Sequence, residues 1–140
     1  MRVETDLKLD FDDVLIRPKR STLTSRKDVD LHRSYNFLHG GSYFEGIPIM
    51  AANMDGVGEL EVGETLSSLD LFTCYKKNID EGSLIEALKL YTVNKQRDNV
   101  AVTIGRNDND FDKLGRISKH VIVKNICVDV ANGYSQAFVD

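Results

Sequence analysis

The sequence has 140 residues, of which 41% are hydrophobic and 29% are charged, a balance typical of a folded globular chain. The formal net charge of −4 argues against a nucleic-acid partner. No apolar run is long enough to cross a bilayer, and Met1–Asp13 alternates charged with apolar residues, unlike a signal peptide. We therefore expect a soluble cytoplasmic protein without a membrane partner.

Potential metal ligands are few and scattered. His32, His39 and His120 show no metal-ligand spacing, and Cys74 and Cys127 lie in apolar stretches away from them. We expect no metal site and, without a secretion signal, no disulfide. Both thiols are expected in the core, where burial raises the thiol pKa, so neither is predicted to be a nucleophile.

A basic stretch lies near the N-terminus. Five cations and no acid occur between residues 17 and 27: Arg17, Lys19, Arg20, Arg26 and Lys27. The charges are consistent with a solvated surface loop or with a seat for a small anion such as phosphate. No aromatic residues interleave with them, which disfavours nucleic acid.

Four short apolar runs have the character of strands buried on both faces. They are Ile47–Ala52, Leu71–Tyr75, Val100–Ile104 and Asn125–Val130. Apolar residues at helical spacing follow the first three runs, over 62–69, 84–91 and 111–117. Gly115 interrupts the third helix, Ser83 and Glu86 suggest a capping box for the second, and a fourth helix is predicted to begin at Tyr134.

Alternation of strands and helices predicts a parallel sheet with right-handed crossovers. A doubly wound sheet and a β/α barrel both fit, although no GxGxxG follows the first strand, which weakens the dinucleotide-fold interpretation. Residues 1–45 precede the repeats as an extension. Within it we predict short strands at Leu7–Ile16 and Asp28–Tyr35, and a turn at 39–42.

Polar side chains follow each predicted strand. They are Asn53 and Asp55, Lys76 and Lys77, Arg106 and Asn107, and Asp129 and Asn132. Ligands of parallel β/α folds bind at the carboxyl ends of the strands. Asp129 interrupts an apolar run, so it either caps the following helix or accepts a hydrogen bond from a ligand amide or hydroxyl. Period-two alternation places it on one face with Cys127 and Ala131.

Several segments resemble the GMP reductase family. The most specific are Leu9–Ser21 (LDFDDVLIRPKRS) and Cys127–Ser135 (CVDVANGYS), and Ala52–Asp55 (ANMD) also matches. IMP dehydrogenase is the nearest related family, but most of its members insert a regulatory domain after the second barrel strand. Here only residues 76–99 separate the second and third strands, which favours the reductase.

The resemblance implies an α/β fold, the N-terminal half of a TIM (β/α)8 barrel, in one partial domain over 1–140. After the extension 1–45, residues 46–140 would form the first four βα units, with the last helix cut off and no regulatory insertion. It also implies an NADPH-dependent oxidoreductase of purine metabolism, a homotetramer that converts GMP to IMP and releases ammonia. In that family a cysteine thiolate attacks the purine, and NADPH supplies a hydride.

The resemblance also assigns cofactor-binding residues. Ser25 and Arg26 correspond to a pair that reaches the NADPH of a neighbouring subunit, where a hydroxyl and a cation suit a 2′-phosphate. Lys77 corresponds to the lysine that contacts the cofactor, although Lys76 is the alternative. Asp129, Val130 and Ala131 correspond to the segment beside the nicotinamide. Met54 is a candidate purine contact, and Gly56 stands where the family usually has threonine.

The family's catalytic cysteine lies beyond residue 140, so the chain contains no predicted catalytic residue. We therefore expect the 140-residue chain alone to be inactive. Two alternatives remain open: an IMP dehydrogenase-like enzyme without its regulatory domain, and a non-catalytic fragment that binds a full-length subunit.

Overall fold

A computed structural model describes residues 3–38, 43–93 and 99–139, apart from the side chains of residues 92 and 93. The chain divides into two units, Met1–Asp30 and Leu31–Asp140. The second unit contains, in chain order, β1 (Arg33–Asn36), β2 (Tyr43–Gly46), β3 (Met50–Ala51), α1 (Leu60–Ser68), β4 (Phe72–Cys74), α2 (Glu81–Val93), β5 (Val100–Ile104), α3 (Asp108–Ser118), β6 (Ile126–Val128) and α4 (Gln136–Val139). The predicted turn at 39–42 lies outside the described residues.

The first unit has two short 3-10 turns, Phe11–Asp13 and Arg26–Asp28. The strand predicted at Leu7–Ile16 is wrong, because Asp10 accepts a hydrogen bond from the N–H of Phe11 and Asp13 accepts one from the N–H of Asp10. Such local side-chain bonds compete with an extended backbone. Of the strand predicted at Asp28–Tyr35, only the last three residues belong to β1.

The second unit confirms the predicted alternation of strands and helices. Strands β3, β4, β5 and β6 lie in that order in one sheet, and every neighbouring pair is parallel. Three of the four strands are shorter than predicted, and only Val100–Ile104 matches its predicted bounds. The first strand starts late because Pro48 has no N–H to donate and the N–H of Ile49 bonds to the carbonyl of Ile47 at 2.7 Å.

The sheet packs on both faces. On one face, residues of β5 and of the loop after β4 join buried side chains from α2 and α3: Tyr75, Ile79, Leu84, Leu88, Tyr91, Val100, Val102 and Ile117. On the other face, Phe44 from the β1–β2 hairpin packs with Phe72, Cys74 and Ala101, and Cys127 borders this cluster. The rings of Phe44 and Phe72 meet edge to face, with centroids 6.0 Å apart.

The start of α2 differs from the predicted one. Helix α2 is capped by Asp80, whose Oδ1 accepts hydrogen bonds from the N–H groups of Gly82 at 2.9 Å and Ser83 at 3.1 Å. The capping box predicted at Ser83 is therefore wrong, because Ser83 already lies inside the helix.

Helix α4 begins at Gln136, close to the predicted start at Tyr134. None of the helices in the described part of the chain is long and apolar enough to span a membrane.

Candidate functional site

Lys77 and Asp129 lie at the same end of the sheet, beside the carboxyl end of β5. The N–H of Asp129 donates to the carbonyl of Ile104, the last residue of β5, at 2.8 Å. Lys77 Nζ would be only 2.7 Å from a Cβ atom built on Gly105, the residue directly after that strand. Parallel strands bring their carboxyl ends to one edge, so two residues separated by 52 positions in the sequence lie at the same edge.

A hydrogen bond connects the loops after the first and last strands of the parallel sheet. Asn53 Nδ2, after β3, donates to Asp129 Oδ2, after β6, at 3.0 Å. Three strand spacings separate β3 from β6, which in a flat sheet would be about 14 Å. The two short side chains can meet only because the sheet curves at this end, as the wall of a barrel does. Asn53, Lys77, Gly105 and Asp129 form this edge of the sheet, which we call the rim.

Lys77 is held by an ion pair with Asp110 in the first turn of α3. The Nζ–Oδ2 distance is 2.8 Å; the Asp110 side chain is 9% exposed and that of Lys77 is 39% exposed. The hydrogen bond from Lys77 is the main cause that lowers the pKa of Asp110, with contributions from the charge of Lys77 and from the backbone N–H groups of Asn107 and Gly105. The Asp110 carboxyl is therefore ionised at neutral pH.

Lys76 makes a different set of contacts. Its Nζ lies 2.7 Å from Glu59 Oε1 and 3.4 Å from Asp55 Oδ1. The hydrogen bond from Lys76 is the main cause of a lowered pKa at Glu59, and the same bond raises the pKa of Lys76. Glu59 also accepts from the N–H of Gly56 at 3.0 Å, where the backbone has φ 74° and glycine is favoured. Lys76 thus forms ion pairs with the loop after β3, whereas Lys77 extends over the end of β5.

Acid should destabilise the fold through these carboxylates. Glu59, Asp80, Glu81 and Asp110 all have lowered pKa values, each chiefly through a side-chain hydrogen bond. A carboxyl group whose pKa is lowered in the folded state stabilises the fold at pH values above its pKa in the unfolded chain, which is about 4 for these groups. This stabilisation is lost as the pH falls from there through the lower pKa of the folded state. We expect urea denaturation to give a smaller free energy of unfolding at pH 3 than at pH 6. Equal stability at both values would contradict these ion pairs.

The other residues assigned by resemblance occupy varied positions. Ser25 and Arg26 belong to the first unit, where Ser25 Oγ accepts from the N–H of Lys27 at 3.2 Å and Arg26 begins the exposed 3-10 turn. Val130 is half-buried and Ala131 is exposed, and both follow Asp129 directly after β6. Lys77, Asp129, Val130 and Ala131 therefore share the end of the sheet where β4 and β6 finish.

Several polar residues after strands have structural partners. Asn107 caps α3 through a bond from the N–H of Asp110 at 3.0 Å, and Arg106 donates to the carbonyl of Ala137 at 3.2 Å. Asn132 accepts from the N–H of Tyr134 at 2.9 Å. Helix α4 begins seven residues after Asp129, so Asp129 is not the cap of that helix. Met54 is 62% exposed, and its carbonyl accepts from the N–H groups of Val57 at 3.0 Å and Gly58 at 2.8 Å.

The cysteines lie in the strands, as the sequence predicted. Cys74 is buried at the end of β4, Cys127 is half-buried in β6, and both are free. Burial is the main cause that raises the pKa of Cys74 to about 12, and the neighbouring thiol of Cys127 adds to it. Cys74 Sγ lies 3.4 Å from Met50 Sδ. Within the described ranges, no group of three His, Cys, Asp or Glu residues is arranged to hold a metal ion.

Sequence reasoning missed Asp110. It lies inside the first turn of a helix and not in the loop directly after a strand, where parallel β/α folds bind their ligands. A signal did exist: Asn107 and Asp110 stand three residues apart at the start of an apolar stripe, the spacing of a helix cap and its third residue. The sequence could therefore have placed Asp110 at the end of α3 nearest the rim.

Comparison with known families supports one assignment. Residues 8–140 match the profile described as "IMP dehydrogenase / GMP reductase domain". The chain is similar to proteins named GMP reductase from Citrobacter koseri, at 46% identity, and Shigella flexneri, at 45% identity; both alignments cover 99% of this chain and 40% of the relative. The chain thus spans less than half the length of these relatives.

A solved structure shows the same fold. The crystal structure of inosine 5′-monophosphate dehydrogenase from Legionella pneumophila superposes with a TM-score of 0.69 at 22% identity, covering 91% of this chain and 37% of that one. At this identity the match concerns the fold. The four parallel strands with intervening helices are the N-terminal part of a TIM barrel, as the resemblance implied.

Proposed function

Since the chain belongs to the IMP dehydrogenase / GMP reductase domain family, we propose that it is the N-terminal part of a GMP reductase. That enzyme converts GMP to IMP, releases ammonia and oxidises NADPH. In this proposal residues 1–45 are an extension, and residues 46–140 are the first four βα units of a barrel domain without a regulatory insertion. The complete enzyme would be a cytoplasmic homotetramer.

The proposal is supported mainly by the rim. A cation on Lys77 and a carboxylate on Asp129 lie beside the end of the same strand, where parallel β/α folds bind their ligands. The chemistry suits a dinucleotide: the ammonium group can donate to phosphate, carbonyl or amide oxygens, and the carboxylate can accept from hydroxyl or amide groups. Relatives named GMP reductase add support over nearly the whole chain.

The residues present fit NADPH in complementary roles. Lys77, Asp129, Val130 and Ala131 would hold the nicotinamide end, and Ser25 and Arg26 would reach the 2′-phosphate bound by a neighbouring subunit. NADPH supplies the hydride when bound. The chain's own residues orient it: Lys77 offers donors from an ammonium group that Asp110 holds at 2.8 Å, and Asn53 fixes the Asp129 carboxylate. The purine-attacking thiolate would come from another part of the protein.

Titration of the 140-residue chain with NADPH, followed by the fluorescence of the nicotinamide, tests the proposal. We expect saturable binding that Lys77→Met and Asp129→Asn each weaken about tenfold or more, because a hydrogen bond to a charged group contributes about 1.5–3 kcal/mol. Lys89→Met is the matched control, since Lys89 is exposed in the third turn of α2, away from the carboxyl ends of the strands. Equal weakening by the control, or no effect of either rim variant, would contradict the assignment.

An activity assay accompanies the titration. Addition of GMP and NADPH to the purified chain is expected to give no oxidation of NADPH, because no thiol in this chain suits the attacking role. Of the two cysteines, Cys74 is buried with a raised pKa, and Cys127 lies within β6 and not on a loop. Turnover by the chain alone would refute this expectation.

The family description names IMP dehydrogenase beside GMP reductase and so favours a second candidate: an IMP dehydrogenase-like enzyme without the regulatory domain. Tighter binding of NAD+ than of NADPH would support it over the reductase. The short coverage of the relatives favours a third, a non-catalytic fragment that binds a full-length subunit. Co-purification with an intact relative, without cofactor binding by the chain, would support that candidate.

A further inference from the structure

We propose that Asp110 is a positioning residue that fixes the ammonium group of Lys77 over the carboxyl end of β5 and so sets the affinity of the rim for a nicotinamide cofactor. This inference rests on the proposed function. A lysine side chain has four flexible carbons and samples many rotamers in water. An isolated Lys77 would therefore point at a ligand only part of the time.

Asp110 is suited to this role because it is itself fixed. Its side chain is only 9% exposed, and its backbone N–H is bonded to the Asn107 side chain at 3.0 Å. The backbone N–H groups of Asn107 and Gly105 also help to lower the pKa of its carboxyl. A carboxylate held by the start of a helix and the end of a strand gives Lys77 a rigid acceptor at 2.8 Å.

Glycine at position 105 makes room for the pair. A Cβ atom there would lie 2.6 Å from Asp110 Oδ2 and 2.7 Å from Lys77 Nζ, closer than real Cβ atoms approach. The ion pair therefore passes directly over the backbone where β5 ends. Any larger residue would displace the lysine, the aspartate or both.

Helix α3 holds Lys77 at a second point. Lys113, three residues after Asp110, donates from its Nζ to the carbonyl of Lys77 at 2.9 Å and to that of Ile79 at 2.7 Å. One helix thus binds both the side chain and the backbone of Lys77. A movement of α3 would move the ammonium group with it.

The arrangement leaves donors for a ligand. An ammonium group has three N–H donors, and Asp110 Oδ2 accepts a hydrogen bond from one of them at 2.8 Å. With 39% of its side chain exposed, Lys77 can still reach an acceptor outside the protein. Asp110 therefore restrains the direction of the Lys77 ammonium group and still leaves N–H donors for a ligand.

The test compares Asp110→Asn with Asp112→Asn in the 140-residue chain. Both remove one negative charge from α3, but Asp112 is exposed and lies two residues further along the helix, on a different side from the buried Asp110. We expect Asp110→Asn to raise the Kd for NADPH about fivefold to tenfold, and Asp112→Asn to change it less than twofold. Gly105→Ala should act in the same direction as Asp110→Asn.

A double-mutant cycle separates positioning from stability. In a Lys77→Met background, Asp110→Asn should have no further effect on the Kd for NADPH, because the group that it positions is gone. A loss of equal size in both backgrounds would overturn the proposal. If Asp110→Asn does not fold, Asp110→Glu keeps the charge, shifts it by one methylene, and should still weaken binding.

A second readout does not depend on the cofactor. Competitive acetylation, with each lysine quantified by mass spectrometry, should modify Lys77 severalfold faster in Asp110→Asn than in the parent chain, and Lys89 equally in both. If NADPH does not bind but Lys77 is released in this way, the proposed function fails and the positioning role stands. Unchanged acetylation of Lys77 would overturn the positioning role itself.

Discussion

Replacing Ile117 by alanine is expected to lower the free energy of unfolding by about 2–5 kcal/mol, the range for large-to-small changes in a packed core. Ile117 is completely buried and belongs to the cluster between α3 and the sheet. A loss of that size is a large fraction of the about 5–15 kcal/mol by which typical domains are stable. Urea denaturation followed by circular dichroism measures it.

Ile122→Ala is the matched control for this change. It removes the same atoms from a side chain that is 84% exposed, so we expect a change within about 0.5 kcal/mol. If the two variants lose the same stability, then α3 does not pack on the sheet as described. The position of Asp110 and Lys113 on that helix would then also be in question.

Gly63→Ala is expected to destabilise the chain by about 1–3 kcal/mol, the usual cost of overpacking. A Cβ atom at this position would lie 2.4 Å from Cε1 and 2.6 Å from the hydroxyl oxygen of Tyr75. The ring cannot move aside easily, because Tyr75 is completely buried and its hydroxyl is 2.7 Å from that of Tyr91. The clash should outweigh the helix propensity of alanine, which favours the variant by about 1 kcal/mol.

Gly115→Ala provides the contrast for Gly63→Ala. Gly115 also lies within a helix, but a Cβ atom there meets no atom within 4 Å. We expect this variant to be more stable than the parent by about 0.5–1 kcal/mol. Opposite signs for the two glycines in thermal or urea unfolding would support the packing of α1 against β4; a gain in stability for both would contradict it.

The order of strands and helices could be predicted because it depends on local patterns. Val100–Ile104 was predicted within its observed bounds, since a continuous apolar run that is buried along its whole length is the strongest signal of a central parallel strand. The prediction failed where a side chain competes with the expected structure. Asp10 turns the chain within Leu7–Ile16, and Asp80 caps α2 three residues before the predicted cap.

The site was predictable only in part. The sequence indicated that Lys77 and Asp129 follow strands, which in a parallel sheet places them at one edge. It did not indicate the hydrogen bond between Asn53 and Asp129, because that contact depends on how strongly the sheet curves. It also did not indicate Asp110, because the pairing with Lys77 depends on how α3 packs against the end of β5.

The two ends of the curved sheet differ in what they offer to a small molecule. Phe44 from the hairpin packs on Phe72, the first residue of β4, and so fills the amino ends of the strands with aromatic rings. The opposite end carries an amide, a cation and carboxylates. A polar ligand therefore finds hydrogen-bonding partners at the carboxyl ends of these four strands, while the rings at the amino ends offer it none.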